Sequence, residues 1–334
     1  KFKPKKLTPT HSWAKENGAS FTESGLWLRA EWYSKKNELN WRETVDREVI
    51  SVRNSVGFCD VSTLGKIDIQ GKDAQEFINK IYCNAFAKLS VGKVRYGLML
   101  REDGLVMDDG TTARMSENHF IMTTTTANAD SVYRHLEFCH QCLWPDMEVH
   151  LISTTDAWAQ IAIAGPNSRK VISKIIDPEF DISNENFPFM ACKEISICGG
   201  VVARLFRISF SGELAYELSF PTQYALSFVN YLMEIGKEEN IIPYGTEALG
   251  VMRIEKGHAA GAELNGTTTA LNLNMGKMVS DNKDSIGSVL SKREGLNQSD
   301  DLKLVGIKPI NSSDQLISGS HLFDLSSKVN PKMI

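Results

Sequence analysis

Two short runs hold side chains able to move protons or grip a ligand. In Leu105-Val-Met-Asp-Asp-Gly110 two carboxylates, Asp108 and Asp109, stand side by side. Adjacent residues of a strand face opposite sides, so only one of the two can enter a given cavity. A carboxylate is a poor strand former and costly to bury alone, so an inward one needs a cation or an N–H donor beside it. The competing reading is an acidic pair at a strand end facing water. In Ser209-Phe-Ser-Gly-Glu-Leu-Ala-Tyr-Glu217 a glycine interrupts a strand-like run, and Glu213 and Glu217 flank apolar residues. Such a glycine predicts a bulge or the close approach of another group, and strand parity puts both glutamates on one face. A carboxylate can take two N–H donors from a planar, amidine-like heterocycle, as it does from an arginine fork. A surface bulge with two exposed glutamates is the alternative. Arg253 has apolar neighbours, Val251, Met252 and Ile254, and either snorkels to the surface or reaches a carboxylate in a cavity.

Other patterns carry less. Cys139-His-Gln-Cys142 falls at the end of a helical stretch, whereas redox motifs of this kind begin one. Further ligands at zinc spacing are missing, so no metal site is expected. There is no GxGxxG and no Walker A run, so nothing signals a nucleotide phosphate site.

The elements that must position these residues follow from periodicity. Ile67 and Ile69 alternate with polar residues in Gly65–Gly71, as in a half-buried strand, and Ala74, Phe77, Ile78 and Ile81 then follow at helical spacing over 73–82. Residues 93–125 read as a meander, with strands ending near Leu100, running from Leu105 to Met115, and covering His119–Thr125. A helix is expected at 128–142, a strand at 158–164 leading through Gly165-Pro166 into a helix at 167–176, and a hairpin around Cys198-Gly-Gly200 with strands at 192–198 and 201–210. Helices at 222–236 and 244–256 complete a mixed α+β chain. Residues 1–50, rich in Trp and Tyr, look like an arm packed over a neighbouring unit. Beyond about 280 the chain becomes polar, with one expected strand at Lys303–Ile307 opening a small β unit.

Composition narrows the function. The chain has 334 residues, 42% of them hydrophobic, enough for two or three compact units. Charged residues are 23% and the net charge is −4, which gives no footprint for nucleic acid or an anionic membrane surface. The basic start, Lys1, Lys3, Lys5 and Lys6, reads as a solvated linker. No apolar run approaches the ~20 residues of a membrane span, and no signal peptide is evident. Six scattered cysteines fit a reducing cytoplasm. The first residue is not Met, and the expectation is a piece of a longer subunit.

Taken together the runs Gly57-Phe-Cys-Asp-Val-Ser-Thr-Leu-Gly-Lys-Ile-Asp-Ile-Gln-Gly-Lys-Asp-Ala74, Tyr96-Gly-Leu-Met99, Asp103-Gly-Leu-Val-Met-Asp-Asp109, Ala164-Gly-Pro166, Phe210-Ser-Gly-Glu-Leu-Ala-Tyr-Glu217 and Leu249-Gly-Val-Met-Arg-Ile-Glu-Lys-Gly257 resemble the aminomethyltransferase family, typified by the glycine-cleavage T-protein. Their order along the chain is more specific than any one of them. Thr8-Pro-Thr-His-Ser-Trp13, Arg207-Ile-Ser-Phe-Ser-Gly-Glu213 and Glu255-Lys-Gly-His-Ala-Ala-Gly-Ala-Glu-Leu-Asn-Gly266 are most similar to the C-terminal half of the alpha subunit of heterotetrameric sarcosine oxidase.

The resemblance implies a cloverleaf of three subdomains around a central folate channel. Residues 1–50 would be the arm, 51–275 two interwoven folate-binding subdomains, and 276–334 a linker and a truncated last β-barrel subdomain. It also implies tetrahydrofolate as cofactor, with flavin and NAD only in other parts of the complex and a flavin-bearing beta subunit as partner. The implied reaction passes the one-carbon unit of oxidised sarcosine, an imine, to tetrahydrofolate, giving 5,10-methylenetetrahydrofolate and glycine. By match to the family motifs, Asp109 is the carboxylate near the reactive folate nitrogens, with Asp108 its neighbour. Glu217 holds the pterin amidine edge, Arg253 lies on a channel-lining helix, and Tyr96 and Met99 are folate contacts. The rival readings are a free-standing aminomethyltransferase served by a lipoyl-arm carrier and a folate-binding module without catalysis.

Overall fold

Period-two alternation dominates the chain, and in this computed structural model it builds three sheets. The structure describes residues 6–298, 301–311, 313–317 and 319–320. The arm comes first: β1 (Lys6–Leu7), α1 (His11–Glu16), β2 (Ala19–Ser24) and β3 (Trp27–Tyr33) form a small sheet with a helix, and α2 (Trp41–Asn54) follows. Asn40 starts α2 by accepting N–H bonds from Arg42 and Glu43, the usual way a short polar side chain caps orphan donors. Trp13 and Tyr33 pack with Phe58 in the main core.

Next come β4 (Gly57–Asp60), β5 (Gly65–Gln70), α3 (Ala74–Ile81), the meander β6 (Lys93–Leu100), β7 (Val106–Ser116) and β8 (His119–Thr124), then α4 (Ala129–Phe138) and β9 (His150–Ser153). After these come β10 (Trp158–Ala164), α5 (Ser168–Ser173), the hairpin β11 (Cys192–Ile197) and β12 (Val201–Phe206), β13 (Ala215–Pro221), α6 (Ala225–Ile235), β14 (Ile242–Pro243) and α7 (Thr246–Lys256). The larger sheet has the order β11-β12-β13-β10-β4-β14, and the second β6-β7-β8-β5-β9. The fold is α+β, and among the described residues no helix is long and apolar enough to cross a membrane.

Each large sheet buries one face against helices. Ile161, Ile163, Leu205, Leu218 and Phe220 of the six-stranded sheet pack on α5 and α6. Ile67, Ile69, Phe120 and Met122 of the five-stranded sheet pack on α3 and α4. The opposite faces meet. Ala113 and Ile121 of the five-stranded sheet touch Phe206 of β12, and Arg204 of β12 donates to Asp68 of β5 across the seam. Farther along the six-stranded sheet, Cys59, Ala162 and Ala164 are covered by α2 and α7.

Several expectations change. β5 is buried on both faces, because its polar side looks into the seam: Lys66 is 2% and Asp68 4% exposed. Glu213 is not on a strand with Glu217; residues 207–214 are a loop, turned by Gly212 at φ +83°, and β13 begins only at Ala215. The parity argument therefore does not reach Glu213, which pairs with Arg53 of α2 at 2.8 Å. Lys303–Ile307 forms no strand. Leu304 N–H donates to Asn272 O, and Asn272 and Asn274 donate to Leu302 O and Leu304 O, so side chains take the bonds a neighbouring strand would have made. α2 runs from Trp41 to Asn54, and the chain to Leu304 is one compact unit. The rest of the expected truncated β unit, from 321 on, lies outside the described residues.

Glu48 of α2 ties the arm to the rest. It is wholly buried, and its two carboxyl oxygens accept from Tyr33 N–H at 2.6 Å and Gly245 N–H at 2.9 Å. Burial pushes its carboxyl from 4.5 up to about 7 against the pull of those donors. Glu48→Ala leaves two buried N–H groups without partners, and unfolding in urea should show a loss of about 2–4 kcal/mol with far-UV circular dichroism unchanged. Between pH 4.5 and about 7 the folded carboxyl keeps a proton that the unfolded chain has released. Stability should therefore fall as pH rises through that window, and less steeply in the variant.

Candidate functional site

The acidic pair on β7 divides as strand parity requires. Asp108 is fully buried. It accepts from Thr125 N–H at 3.1 Å, Thr125 Oγ1 at 2.6 Å and Asn128 Nδ2 at 3.1 Å, which fixes the chain between β8 and α4. Asp109, one residue on, faces the other way and accepts from the Tyr96 hydroxyl at 2.8 Å. Register pairs Leu98 with Asp109 and Tyr96 with Thr111, so Tyr96, Leu98 and Asp109 share one face, the face that meets the six-stranded sheet farther on at Ala113. Met99, paired with Asp108, lies on the opposite face and is buried in the helix-backed core. The structure thus joins Tyr96 to Asp109 and separates Met99 and Asp108 from them.

Gly110 permits the arrangement. A Cβ at that position would lie 2.0 Å from Thr123 O on β8, so any side chain there would push β8 away from the acidic strand.

Burial pushes the Asp109 carboxyl up to about 7, and the charge of Asp108 adds to the rise while the Tyr96 hydroxyl opposes it. Burial also pushes the Tyr96 phenol well up, and Asp109 beside it does the same, so Tyr96 stays a donor. A segment after α7 covers this end of the face: Leu264, Leu273 and Met275 pack on Leu98 and Leu100, and the Met275 thioether lies 3.8 Å from the Tyr96 hydroxyl.

Glu217 lies on the seam face of β13. Ala162 is its register partner on β10, and Phe206 its partner on β12. Gln160 Nε2 donates to Glu217 Oε2, and Ser219 Oγ donates to Gln160 Oε1 at 2.9 Å. Oε1 of Glu217 has no partner among the described residues. Burial raises its carboxyl to about 7, while the Gln160 amide and the Lys66 charge pull it down.

Arg253 is engaged elsewhere. Its Nη1 donates to His258 O at 3.1 Å and Glu263 Oε1 at 3.0 Å, and Ala260 N–H donates to Glu263 Oε2. It clasps the loop that follows α7. A surface cleft of 640 Å³ bordered by Ser51, Asn230 and Ile242 holds none of these side chains.

Three residues of the site are absent from the sequence reading: Gln160, Ser219 and Lys66. Gln160 had a signal, a lone amide amid the apolar residues of Trp158–Ala164. Lys66 had none, since a lysine alternating with isoleucines reads as the wet side of a strand.

Residues 10–283 match the family described as the GCVT N-terminal domain. The chain is 55% identical over 323 residues to the sarcosine oxidase subunit alpha of Rhizobium meliloti (strain 1021), covering 96% of this chain and 32% of that protein. It is 42% identical over 320 residues to the subunit of the same name from Corynebacterium sp. (strain P-1), covering 96% and 33%. It therefore spans about a third of the length of these relatives. An aminomethyltransferase from Geobacillus sp. (strain WCH70) is 30% identical over 308 residues, covering 91% of this chain and 79% of that one. The crystal structure of glycine cleavage system aminomethyltransferase T from Bartonella henselae superposes with a TM-score of 0.72 at 21% identity, covering 85% of this chain and 73% of the other. At that identity the likeness speaks for the fold, while the match over most of the chain speaks for descent: this chain belongs to the aminomethyltransferase family defined by the GCVT N-terminal domain.

Proposed function

We propose that this chain is the folate-binding region of a sarcosine-oxidase-type alpha subunit, and that it passes the one-carbon unit of oxidised sarcosine, delivered as an imine, to tetrahydrofolate, giving 5,10-methylenetetrahydrofolate and glycine. The single observation that carries this reading is the Tyr96–Asp109 pair. It is a carboxyl with a pKa of about 7, hydrogen-bonded and half enclosed, on the sheet face that turns toward Glu217. The flavin that makes the imine belongs to another subunit of the complex, the flavin-bearing partner. The seam between the two large sheets is one wall of the cloverleaf's central channel, and the segment after α7 another.

The residues present suit tetrahydrofolate. Glu217 offers an open oxygen beside one already oriented by Gln160, the acceptor set that an N–H-rich pterin edge needs. Bound there, tetrahydrofolate supplies the nitrogens that take up the one-carbon unit. The chain does the rest. Asp109 holds or takes a proton near those nitrogens, and a carboxyl poised near neutrality does this with least driving-force penalty. As a carboxylate it also stabilises positive charge that develops beside it. Tyr96 fixes its orientation and stays a donor throughout. The apolar cover at Leu273 and Met275 keeps water from a short-lived imine.

In the assembled oxidase, Asp109→Asn should leave sarcosine oxidation running while methylenetetrahydrofolate formation drops by roughly a hundredfold or more, formaldehyde appearing instead. Because the ionised form does the work, the wild-type transfer step should rise with pH through about 7, and the variant should lose that inflection. A normal folate product yield from Asp109→Asn would sink the assignment. Glu217 is tested by binding alone. Glu217→Ala and Glu217→Gln should each weaken tetrahydrofolate about ten- to a hundredfold in calorimetry, since one removes the acceptor and the other sets an amide against a donor. Glu213→Gln, in the loop beside Arg53, should bind as wild type does. Wild-type affinity in both Glu217 variants would move the pterin anchor elsewhere.

A further inference from the structure

Lys66 is the buried group that the reading above leaves without a task. It lies on the seam face of β5, and its ammonium is out of contact with water. Nζ donates to two backbone carbonyls of the turn before β5, Ser62 O at 2.8 Å and Leu64 O at 3.1 Å. It makes no ion pair among the described residues. An ammonium has three N–H donors, so one remains unspent in a place where an unmade hydrogen bond is expensive.

The surroundings say where that donor is wanted. Ser62, whose carbonyl holds Lys66, also takes the Gln160 backbone N–H on its hydroxyl at 2.9 Å. Gln160 in turn donates its side-chain amide to Glu217. Ser62 and Gln160 thus lie between Lys66 and Glu217, and the charges of Asp60 first and Glu217 next are felt at Lys66. Burial holds the Lys66 amine down at about 8, which leaves it largely charged at neutral pH. A carboxylate with an open oxygen and a cation with a spare N–H, on facing strands of one seam, form a matched set of acceptor and donor. A pyrimidinone edge presents the complement: N–H groups for the carboxylate and, next to them, a ring carbonyl for the cation.

Resting on the reading that Glu217 anchors the pterin, we infer that Lys66 donates its third N–H to the ring carbonyl at C4. It thereby makes the site select a 4-oxo pterin over a 4-amino one. Replacing that carbonyl by an amino group sets donor against donor, which is the strongest form of discrimination a buried polar pair can exert.

The test titrates the 334-residue chain with tetrahydrofolate and with its 4-amino analogue, in wild type, Lys66→Gln, Lys66→Met and Glu217→Ala. Glutamine has two N–H donors for Ser62 and Leu64 and none to spare, so Lys66→Gln keeps donors near the turn while removing the third N–H together with the charge that Glu217 feels. Loss of the charge weakens both ligands, and loss of the contact changes their ratio. Lys66→Met repeats the test without the amide. The 4-amino ring also lacks the N3 hydrogen that faces Glu217, so the readout is the change in the ratio of the two affinities, not the ratio itself. The preference for tetrahydrofolate should fall about ten- to a hundredfold in both Lys66 variants, the range of a charge-assisted bond. Equal weakening of both ligands would make Lys66 a support for the turn and nothing more, and unchanged binding of both would remove it from the site; either overturns the inference. Glu217→Ala separates the two ideas. If it weakens both ligands while the Lys66 variants leave the ratio alone, only the Lys66 inference fails. If it changes neither, or if wild type binds neither ligand, the pterin anchor itself fails and the inference goes with it.

Discussion

The seam between the two large sheets is closed by Asp68 and Arg204, and most of the molecule is arranged around that contact. Each sheet spends one face on its own helices, and the opposite faces meet through an apolar patch around Ala113, Ile121 and Phe206 with charged side chains beside it. Where they meet, a charge taken out of water costs several kcal/mol unless paired, on the order of the pair's own attraction. Both Nη atoms of Arg204 approach one oxygen of Asp68, at 3.4 and 3.5 Å, and the guanidinium lies over the Trp158 ring at 3.9 Å. His119 takes the other oxygen. Burial would raise the Asp68 carboxyl, yet His119 and Arg204 together hold it below its ordinary range. The seam is therefore tied where its charges are satisfied.

Elsewhere along the same faces the pairing is incomplete, and that difference sets two of the buried carboxyls apart from the others. Asp108 and Glu48 are both fully buried, and protein groups bind both oxygens of each. Asp109 and Glu217 are equally perturbed, both near 7, but each has a single side-chain donor, Tyr96 in one case and Gln160 in the other. A raised pKa alone would rank Glu48 beside them. Unspent hydrogen-bonding capacity on an inward face is what distinguishes Asp109 and Glu217 from Asp108 and Glu48.

Much of this was legible from residue order. The helix from Ala74 to Ile81, the meander and the opposite facing of Asp108 and Asp109 follow from periods of 3.6 and 2, and the structure has all three. What escaped depended on contacts distant in sequence. Lys66 and Asp68 look solvent-facing until β12, some 136 residues on, brings Arg204 over them. The partner of Arg253 lies ten residues downstream in a loop with no periodicity of its own. Glu213 was assigned to a strand because the chain around it is strand-like in composition, and Gly212 with its positive φ ends that run before β13 begins. Lys303–Ile307 has the alternation of a strand but, among the described residues, no strand to pair with beyond the bonds at Asn272 and Asn274, and alternation without a partner leaves only an extended segment.

Arg253 has a structural task of its own. Its bonds to His258 O and Glu263 fold back the loop after α7. That loop continues to Thr268, whose carbonyl accepts Val106 N–H at the start of the acidic strand, and to Met275, beside the Tyr96 hydroxyl. A guanidinium at the end of a helix is well placed for this, because the last carbonyls of the helix favour positive charge there. The clasp and the acidic strand are thus two ends of one connection: Arg253 fixes where the cover begins, and Val106 fixes where it lands. Between them Leu264, Leu273 and Met275 close over Leu98. The burial that lifts the Asp109 carboxyl toward neutrality is in this sense supported by the Arg253–Glu263 ion pair as well as by the apolar cover itself.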